Sequence, residues 1–238
     1  MKSQSEVNNW DNYWNSSSIN RDIMQVWGAY FARSYEKNFG FKKSDVVLDF
    51  GAGFGNVSYY LKGKTSHIYL YDKSDYMSEV LRHNFKEFDH IDILESLKQI
   101  DKKVNIIIIN SVLQYMTPDE LKSMLNNLKS ICDKHTRIII SDIIPNNYSK
   151  LADFLIQLWL GLKFGFFSKL MVYAISNTFF SPSMSLSTSY LTTYDEEEII
   201  SILNELQFTS EKMKSNFTLS KKRYTLTCYL NPNVQQLH

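Results

Sequence analysis

Three glycines at alternating positions, with an acid ahead of them, form the stretch of the chain with the clearest chemical meaning. In the segment DVVLDFGAGFGN, Asp49 precedes Gly51, Gly53 and Gly55. Glycine adopts positive φ readily and has no side chain, so a ligand can lie directly against the backbone of such a loop. The pattern therefore predicts a nucleotide-binding loop between a buried strand and a helix that begins near Asn56.

The spacing of these glycines bears on which nucleotide is bound. The dinucleotide fingerprint places its third glycine three residues after the second, where this chain has Asn56. An acid two residues ahead of the first glycine is also foreign to that fingerprint. Asp72, which ends the second predicted strand, can accept hydrogen bonds from both hydroxyls of a ribose, whether the ribose belongs to a dinucleotide or to another nucleoside cofactor. The glycine spacing thus disfavours a nicotinamide-dependent oxidoreductase. Asp72 alone does not distinguish a dinucleotide from another nucleoside cofactor.

Three segments together resemble the class I S-adenosylmethionine (SAM) dependent methyltransferases. The pattern D-x-G-x-G-x-G at Asp49–Gly55 resembles motif I of this family, and Asp72–Met77 resembles its D-x-S-x-x-M segment. Asn110–Met116, which precedes a helix start at Thr117-Pro118, resembles motif IV. The resemblance implies a seven-stranded α/β domain that binds SAM, and it does not imply an acceptor.

The same resemblance implies roles for individual residues. Asp72 would bind the ribose, Met77 would lie near the adenine, and Asn110 would sit beside the methionine part of SAM. Asp92 matches the acid that accepts a hydrogen bond from the adenine amino group, with Glu95 as its rival. The expected cofactor-binding residues are Tyr13, Trp14, Asp49, Gly51, Ala52, Gly53, Gly55, Asp72, Lys73, Met77, Asp92, Ile93, Asn110 and Ser111.

Two departures from the family pattern limit what is expected of catalysis. Asn105 replaces the acid that usually opens the fourth strand, and we interpret this change as structural. Gln114-Tyr115 replaces a common histidine pair, which removes a candidate base. An alcohol acceptor would require a base within hydrogen-bond reach. Asp142 is the best-placed candidate, followed by Tyr13, Tyr115 and Tyr194. No set of metal ligands is apparent, so no metal is predicted.

The elements that must position these residues alternate from Asp45 onward between apolar strands and amphipathic helices. This order predicts an α/β, doubly wound, mostly parallel sheet, in which ligands lie beyond the carboxyl ends of the strands. The predicted strands are Val46–Asp49, His67–Tyr71, His90–Leu94, Val104–Ile109, Arg137–Ser141, Thr209–Lys214 and Arg223–Leu230. The predicted helices between and after them are Val57–Lys62, Tyr76–Phe85, Pro118–Cys132 and Thr193–Phe208, the last with Asp195 as N-cap.

Two further regions flank this core within what we expect to be a single domain over residues 1–238. Residues 1–40 would form an N-terminal helical cap, and residues 146–191 a helical insertion after the fifth strand, leaving 41–145 and 192–231 as the core. Helix-like spacing in Ile19–Phe39 predicts packing on the sheet. The apolar part of the insertion, Phe154–Phe167, is shorter than the roughly 20 residues that cross a bilayer. It is open to three interpretations: a lid over the acceptor, a membrane-surface helix, or a homodimer contact.

Composition excludes some partners and compartments. The formal net charge is +1 and the basic residues are scattered, which predicts no nucleic-acid partner. The two cysteines, Cys132 and Cys228, share no ligand spacing and are expected to be free thiols in a reducing compartment. The amino-terminal stretch has no apolar run, so we expect a cytoplasmic protein.

The most favoured function is therefore methyl transfer from SAM to a small molecule. The apolar insertion favours an apolar or amphiphilic acceptor, such as a natural-product, fatty, lipid-linked or carrier-linked intermediate. O-methylation is slightly preferred over N- or C-methylation. The alternatives are a SAM-fold binding or scaffolding protein without turnover and, less favoured, an NAD-dependent oxidoreductase.

Overall fold

The computed structural model describes residues 18–147 and 191–231, together with residues 149, 158, 159, 161–163 and 165. Its helices and strands follow the predicted order, with ends that differ from the predicted ones by three residues or fewer. They are α1 Ser18–Asn38, β1 Val46–Phe50, α2 Asn56–Leu61, β2 His67–Tyr71, α3 Asp75–Phe85, β3 Ile91–Leu94, β4 Ile106–Asn110, α4 Pro118–Lys129, β5 Arg137–Ile143, α5 Glu196–Glu205, β6 Phe208–Lys212 and β7 Tyr224–Leu230.

Seven strands of the described residues form one sheet in the order β3-β2-β1-β4-β5-β7-β6. The five strands from β3 to β5 pair in parallel, and β7 is antiparallel to both of its neighbours. The predicted α/β, mostly parallel, seven-stranded fold is thereby confirmed. The chain first builds outward from β1 to β3 and then returns to add β4 on the other side of β1. This reversal opens a crevice at the carboxyl ends of β1 and β4, the position at which open α/β sheets bind ligands.

Each face of the sheet is covered by helices, which explains the unbroken apolar runs of its central strands. Ile106 and Ile108 of β4 point to the side covered by α1, α2 and α3, whereas Ile107 and Ile109 point to the side covered by α4 and α5. All four isoleucines are buried. Because successive strand residues face opposite layers, one continuous apolar run supplies two cores.

Helix α1 lies unusually close to α2. A Cβ atom at Gly28 would lie 2.7 Å from the carbonyl carbon and oxygen of Asn56, the first residue of α2. Phe31 and Tyr35, one and two turns further along α1, are fully buried in the core beneath it. The predicted packing of this helix on the sheet is therefore confirmed, and Gly28 brings it against the helix that follows the glycine loop.

The amino end of β5 carries a cluster built around one arginine. The Arg137 guanidinium donates hydrogen bonds to the hydroxyls of Tyr229 (2.6 Å) and Tyr35 (3.2 Å). It also lies 4.1 Å from the ring centre of Phe39. These contacts join α1 to β5 and β7 at the edge of the sheet opposite the crevice, so we interpret Arg137 as a structural residue.

Local sequence signals explain several helix starts. Thr117 accepts a hydrogen bond from the backbone N–H of Glu120, whose side chain accepts one from Thr117 in return, and Pro118 occupies the first helical position. Ser74 caps α3 in a similar way through the N–H of Met77. Asp195 stands at the N-cap of α5 as predicted, but its side chain makes no capping hydrogen bond.

The two cysteines are free thiols of low reactivity. Neither forms a disulfide. Burial raises the pKa of Cys132 to about 12 and also raises the pKa of Cys228, so neither thiol provides an appreciable thiolate population at neutral pH.

None of the described helices is both long and apolar enough to cross a bilayer.

Candidate functional site

The glycine loop lies where β1 ends, at the crevice beside β4. Gly51, Gly53 and Gly55 all have positive φ (71°, 54° and 73°). The N–H groups of Gly51 and Ala52 donate to the carbonyl of Tyr71, the last residue of β2, at 2.7 and 3.0 Å. These bonds fix the loop over the ends of two neighbouring strands.

The three glycines serve different purposes. A Cβ at Gly51 would lie 2.5 Å from a methyl group of Val112, and one at Gly55 would lie 2.3 Å from the ring of Phe85. A Cβ at Gly53 would have no atom within 4 Å. Gly51 and Gly55 therefore make room for the protein's own side chains, and Gly53 leaves the open face on which a ligand can lie. The expectation that all three spare room for a ligand needs this correction.

Asp72 borders that open face. Its Oδ2 accepts a hydrogen bond from the N–H of Gly53 at 2.8 Å, and its Oδ1 accepts from the N–H of Ser74 at 3.0 Å. The residue is partly exposed, so lone pairs remain for two ribose hydroxyls. Burial raises the pKa of Asp72, against the opposing effect of the backbone N–H groups. The neighbouring Lys73 is exposed.

Asp49 lies beneath the loop. Its carboxyl group is buried and accepts a hydrogen bond from the Ser58 hydroxyl at 2.6 Å. Burial raises the pKa of Asp49 to about 6, with a smaller contribution from the nearby charge of Asp72 and an opposing effect of the Ser58 hydrogen bond. The acid of motif I is thus a group that changes charge near neutral pH.

The expected adenine acid is not at the edge of the crevice. Asp92 pairs in register with Tyr69 rather than with the strand-end residue Tyr71. Its carboxylate contacts the ring of His67, which opens β2, at 2.8 Å. Asp92 therefore belongs to the amino half of the strand, which argues against its expected contact with the adenine. The rival acid, Glu95, follows Leu94 at the carboxyl end and is exposed, with Arg82 at 3.1 Å.

Two other residues expected near the adenine differ in how much surface they offer. Met77 lies in the first turn of α3 and is only 2% exposed, so its side chain fills the core under the crevice more than it faces a ligand. Ile93 is partly exposed. Tyr13 and Trp14 lie outside the described residues, and their expected roles stay predictions.

The end of β4 faces the glycine loop from the other side of the crevice. Asn110 Oδ1 accepts a hydrogen bond from the Ser141 hydroxyl at 2.6 Å. Ser111 follows with φ of 60°, in the left-handed region that non-glycine residues seldom adopt. Such a conformation costs about 1–3 kcal/mol and persists only where surrounding contacts hold it. Both residues are partly exposed.

Asp142 does not face an acceptor. Its side chain is fully buried and accepts hydrogen bonds from Ser111 Oγ (2.8 Å), Thr218 Oγ1 (2.7 Å) and the Arg223 guanidinium (2.7 Å). A fully buried carboxylate whose oxygens accept from a cation and two hydroxyls cannot contact an acceptor in the crevice. We therefore interpret Asp142 as the centre of a buried polar cluster and no longer as a base.

Motif IV ends in residues that support the structure. Gln114, in place of the common histidine, is buried and accepts from Arg223 at 3.2 Å. Tyr115 is partly exposed in a short 3-10 turn, Leu113–Tyr115.

Asn105 connects two segments, because it accepts a hydrogen bond from the N–H of Val46 (2.6 Å) and donates one to Asp45 (2.7 Å). An acid at this position would repel Asp45, which supports the structural interpretation of the change.

Sequence reasoning missed Arg223, Thr218 and Ser58. The sequence predicts Arg223 only as the first residue of the strand Arg223–Leu230. Its partners are 81 and 109 residues away, so no local spacing marked it. Among the residues that the structure describes, no group of three or more His, Cys, Asp or Glu side chains is arranged to hold a metal ion.

Comparison with known proteins agrees with this geometry. Residues 47–135, from β1 to the loop before β5, match a family model described as a methyltransferase domain. The matched residues include the glycine loop, Asp72 and the motif IV segment, so this part of the chain is similar to methyltransferase domains. No curated protein sequence matches this chain.

Solved structures share the methyltransferase fold at low sequence identity. Magnesium protoporphyrin IX methyltransferase (ChlM) from Synechocystis PCC 6803, with bound SAH, is 18% identical, with a TM-score of 0.57 over 96% of this chain and 95% of that one. The DhpI-SAM-HEP complex is 12% identical, with a TM-score of 0.60 over 96% of this chain and 99% of that one. The mitomycin 7-O-methyltransferase MmcR is 12% identical, with a TM-score of 0.60 over 93% and 60%. At these identities the comparison establishes the fold.

The crevice of this protein fits SAM. Gly53 offers a backbone surface that a side chain would fill, and Asp72 beside it presents a partly exposed carboxylate suited to a ribose. The buried acid Asp49 and the left-handed turn at Ser111 lie under and across from that surface. Gly53 and Asp72 would hold the nucleoside, and the turn at Ser111 would lie beside the methionine part.

Replacing Asp72 is expected to weaken the binding of SAM or of S-adenosylhomocysteine (SAH) by about 1–3 kcal/mol, or ~5- to 150-fold, because a charged acceptor is lost. Titration calorimetry of Asp72→Ala measures this change. Asp72→Asn keeps one acceptor oxygen and should lose less. Asp75→Ala, at an exposed acid three residues further on, is the matched control and should bind SAM normally. Normal affinity in Asp72→Ala would refute the ribose assignment.

Proposed function

We propose that this methyltransferase transfers the methyl group of SAM to an apolar or amphiphilic small molecule. The observation that carries the proposal is the open glycine surface at Gly53 beside Asp72, at the crevice between β1 and β4. Bound SAM would supply an electrophilic methyl group for displacement by an acceptor nucleophile. The remaining work falls to the protein, which must align the acceptor and exclude water.

The side chains near the carboxyl ends of the strands bear on which kind of acceptor the protein can methylate. Asp142 is occupied by its three donors. Tyr194 donates its hydroxyl proton to the carbonyl of Met116 at 2.7 Å, and burial raises its pKa. Neither group suits a base, and the roles of Tyr115 and Tyr13 stay predictions, so we favour an acceptor that needs no base. A carboxylate meets this requirement and gives O-methylation, and a neutral amine meets it too and would give N-methylation; O-methylation stays slightly preferred.

The described part of the insertion supports an apolar acceptor. Trp159 and Leu162 are 56% and 65% exposed, whereas Gly161 between them is buried. The Lys163 ammonium lies 4.8 Å from the ring centre of Trp159. One short segment thus presents two large apolar side chains outward, a surface suited to an apolar acceptor or to a carrier or membrane that delivers it. The rest of the insertion lies outside the described residues, and a lid or a homodimer contact there remains a proposal.

The names of two structurally similar proteins agree with a small-molecule acceptor. They are named for magnesium protoporphyrin IX and for mitomycin, both small organic molecules. The likeness supports a small-molecule acceptor for this chain and leaves its identity open.

The proposed function is tested with SAM labelled in its methyl group and fractionated cell extracts. Label should appear in a solvent-extractable, low-molecular-weight product, and the Gly53→Val variant should give none. Label confined to protein or nucleic acid would refute a small-molecule acceptor. SAM binding without transfer to any fraction would favour the scaffolding alternative, which the occupied Asp142 makes worth testing. Binding of NAD without binding of SAM or SAH would restore the oxidoreductase.

Once an acceptor is known, the insertion surface can be tested on its own. The double variant Trp159→Ser, Leu162→Ser is expected to raise KM for the acceptor about tenfold and leave KM for SAM unchanged, because it removes two apolar contacts. Tyr59→Ser is the matched control, since Tyr59 is also 56% exposed but lies on α2. Equal KM values for the acceptor in both variants and the wild type would remove the insertion from the acceptor site.

A further inference from the structure

We propose that Asp142 and Arg223 are positioning residues, which hold the turn after β4 against the glycine loop and so shape the methionine end of the cofactor site. The inference rests on the proposed function, because it takes SAM to be the ligand of that crevice. It assigns to the buried polar cluster a role in ligand binding without any contact to the ligand.

The first observation is a pair of unusual backbone conformations at the carboxyl ends of two neighbouring strands. Ser111 and Asp142 have φ of 60° and 65°. They follow Asn110 and Ser141, which are register partners in β4 and β5. The pairing of β5 with β7 also shifts between Ile140 and Ile143, so the irregularity spans three strands. Backbone strain of this kind concentrates at functional sites, where surrounding structure holds it in place.

The second observation is that the contacts of the cluster converge on that turn. The N–H of Ser111 donates to the carbonyl of Ser141 at 3.1 Å, and its hydroxyl donates to Asp142 at 2.8 Å. Asp142 is in turn fixed by Thr218 and by the Arg223 guanidinium, both at 2.7 Å. The side chains of Asp142 and Arg223 are 0% and 6% exposed. The ion pair is shielded from solvent, and it therefore fixes the position of Ser111 Oγ tightly.

The third observation links the turn to the cofactor loop. Val112 follows Ser111 directly, and its methyl group occupies the space that a Cβ at Gly51 would need, at 2.5 Å. The conformation of Ser111 thus decides where Val112 lies against the loop. A contiguous series of contacts runs from Arg223 through Asp142 and Ser111 to Gly51.

The same cluster reaches the segment by which the chain returns from the insertion. The Arg223 guanidinium donates to the side chain of Gln114 at 3.2 Å. The carbonyl of Gln114 accepts a hydrogen bond from the N–H of Thr192 at 2.8 Å. The cofactor loop and the segment that follows the insertion therefore share one buried support.

The test compares two substitutions at Ser111. Ser111→Ala removes the hydroxyl anchor at a position where alanine disfavours positive φ, so the turn should relax and Val112 should move. Ser111→Gly also removes the hydroxyl, but glycine keeps positive φ without strain. We expect Ser111→Ala to raise the Kd for SAH about tenfold and Ser111→Gly to raise it by about threefold or less, as measured by calorimetry well below Tm.

Asp142→Asn and a distant control complete the experiment. Asp142→Asn is expected to weaken SAH binding at least as much as Ser111→Ala. Arg137→Gln breaks the partly buried arginine cluster at the opposite end of β5, and should lower Tm with Kd for SAH unchanged.

Three outcomes would overturn the proposal: unchanged Kd in Ser111→Ala, equal weakening in Ser111→Ala and Ser111→Gly, or weakening in Arg137→Gln that scales with Tm as in the Ser111 variants. The second would make the hydroxyl itself a ligand contact, and the third would reduce the effect to general stability. If the wild-type protein failed to bind SAH, the proposed function would fail before this inference was reached. Wild-type binding combined with any of the three outcomes would remove only the positioning role.

Discussion

Gly53→Val is expected to lower the affinity for SAM at least about 100-fold, or about 3 kcal/mol. A Cβ at this position meets no protein atom within 4 Å, so the added side chain would enter the space left for the ligand. Titration calorimetry with SAM and SAH measures the loss, and circular dichroism verifies that the fold is retained.

Gly40→Val is the matched control for this substitution. Gly40 also has positive φ (71°), and a Cβ there also meets no atom within 4 Å. The N–H of Gly40 is bonded to the Glu36 carbonyl at 3.0 Å, much as the N–H of Gly53 is bonded to Asp72 at 2.8 Å. Both variants should thus pay a similar backbone cost, and only Gly53→Val should lose SAM. Normal SAM binding by Gly53→Val, or equal losses in the two variants, would place the cofactor elsewhere.

The second large effect is the pH dependence of stability that arises from Asp49. Its pKa is about 6 in the folded protein and near 3.8 in the unfolded chain. Between these values the folded state binds more protons, so the free energy of unfolding falls as pH rises. A difference of two pKa units corresponds to about 3 kcal/mol. This penalty is absent below pH 4 and complete above pH 7.

Asp49→Asn removes the ionisation, and denaturant unfolding at several pH values measures the result. The stability of the variant relative to the wild type should increase by about 3 kcal/mol from pH 4 to pH 8. Ser58→Ala is the companion variant, because loss of the hydroxyl that donates to Asp49 should raise the pKa further and steepen the wild-type trend. A relative stability of Asp49→Asn that did not vary with pH would show that Asp49 stays ionised.

The fold could be predicted from sequence because its signals are local. The runs Ile106–Ile109 and Ile138–Ile140 are typical of strands covered on both faces. Thr117 and Pro118 mark the start of helix α4. The glycine loop and Asp72 were found for the same reason, since their spacing is set within one strand-loop-helix unit. The helices and strands of the structure follow the predicted order, and their ends differ from the predicted ends by a few residues.

The site was less predictable wherever a residue's role depends on distant partners. Asp92 and Glu95 differ by three positions in sequence, and only the register of β3 on β2 shows which one reaches the edge. Asp142 occupies a strand end as predicted, yet Arg223, 81 residues later, turns it inward. Gly51 and Gly55 look like Gly53 in sequence, and only Val112 and Phe85 distinguish their purposes.

The position of β7 has a consequence for how the protein is made. This strand is the last in sequence among those described, yet it lies inside the sheet between β5 and β6. Until residues 223–230 leave the ribosome, β5 presents an unpaired edge, which is open to pairing with other chains. Arg223 arrives with that same strand, so the support for the turn after β4 is completed last. A nascent chain is therefore expected to acquire its ligand only after synthesis of β7, and ligand binding would then stabilise the sheet just as its exposed edge is closed.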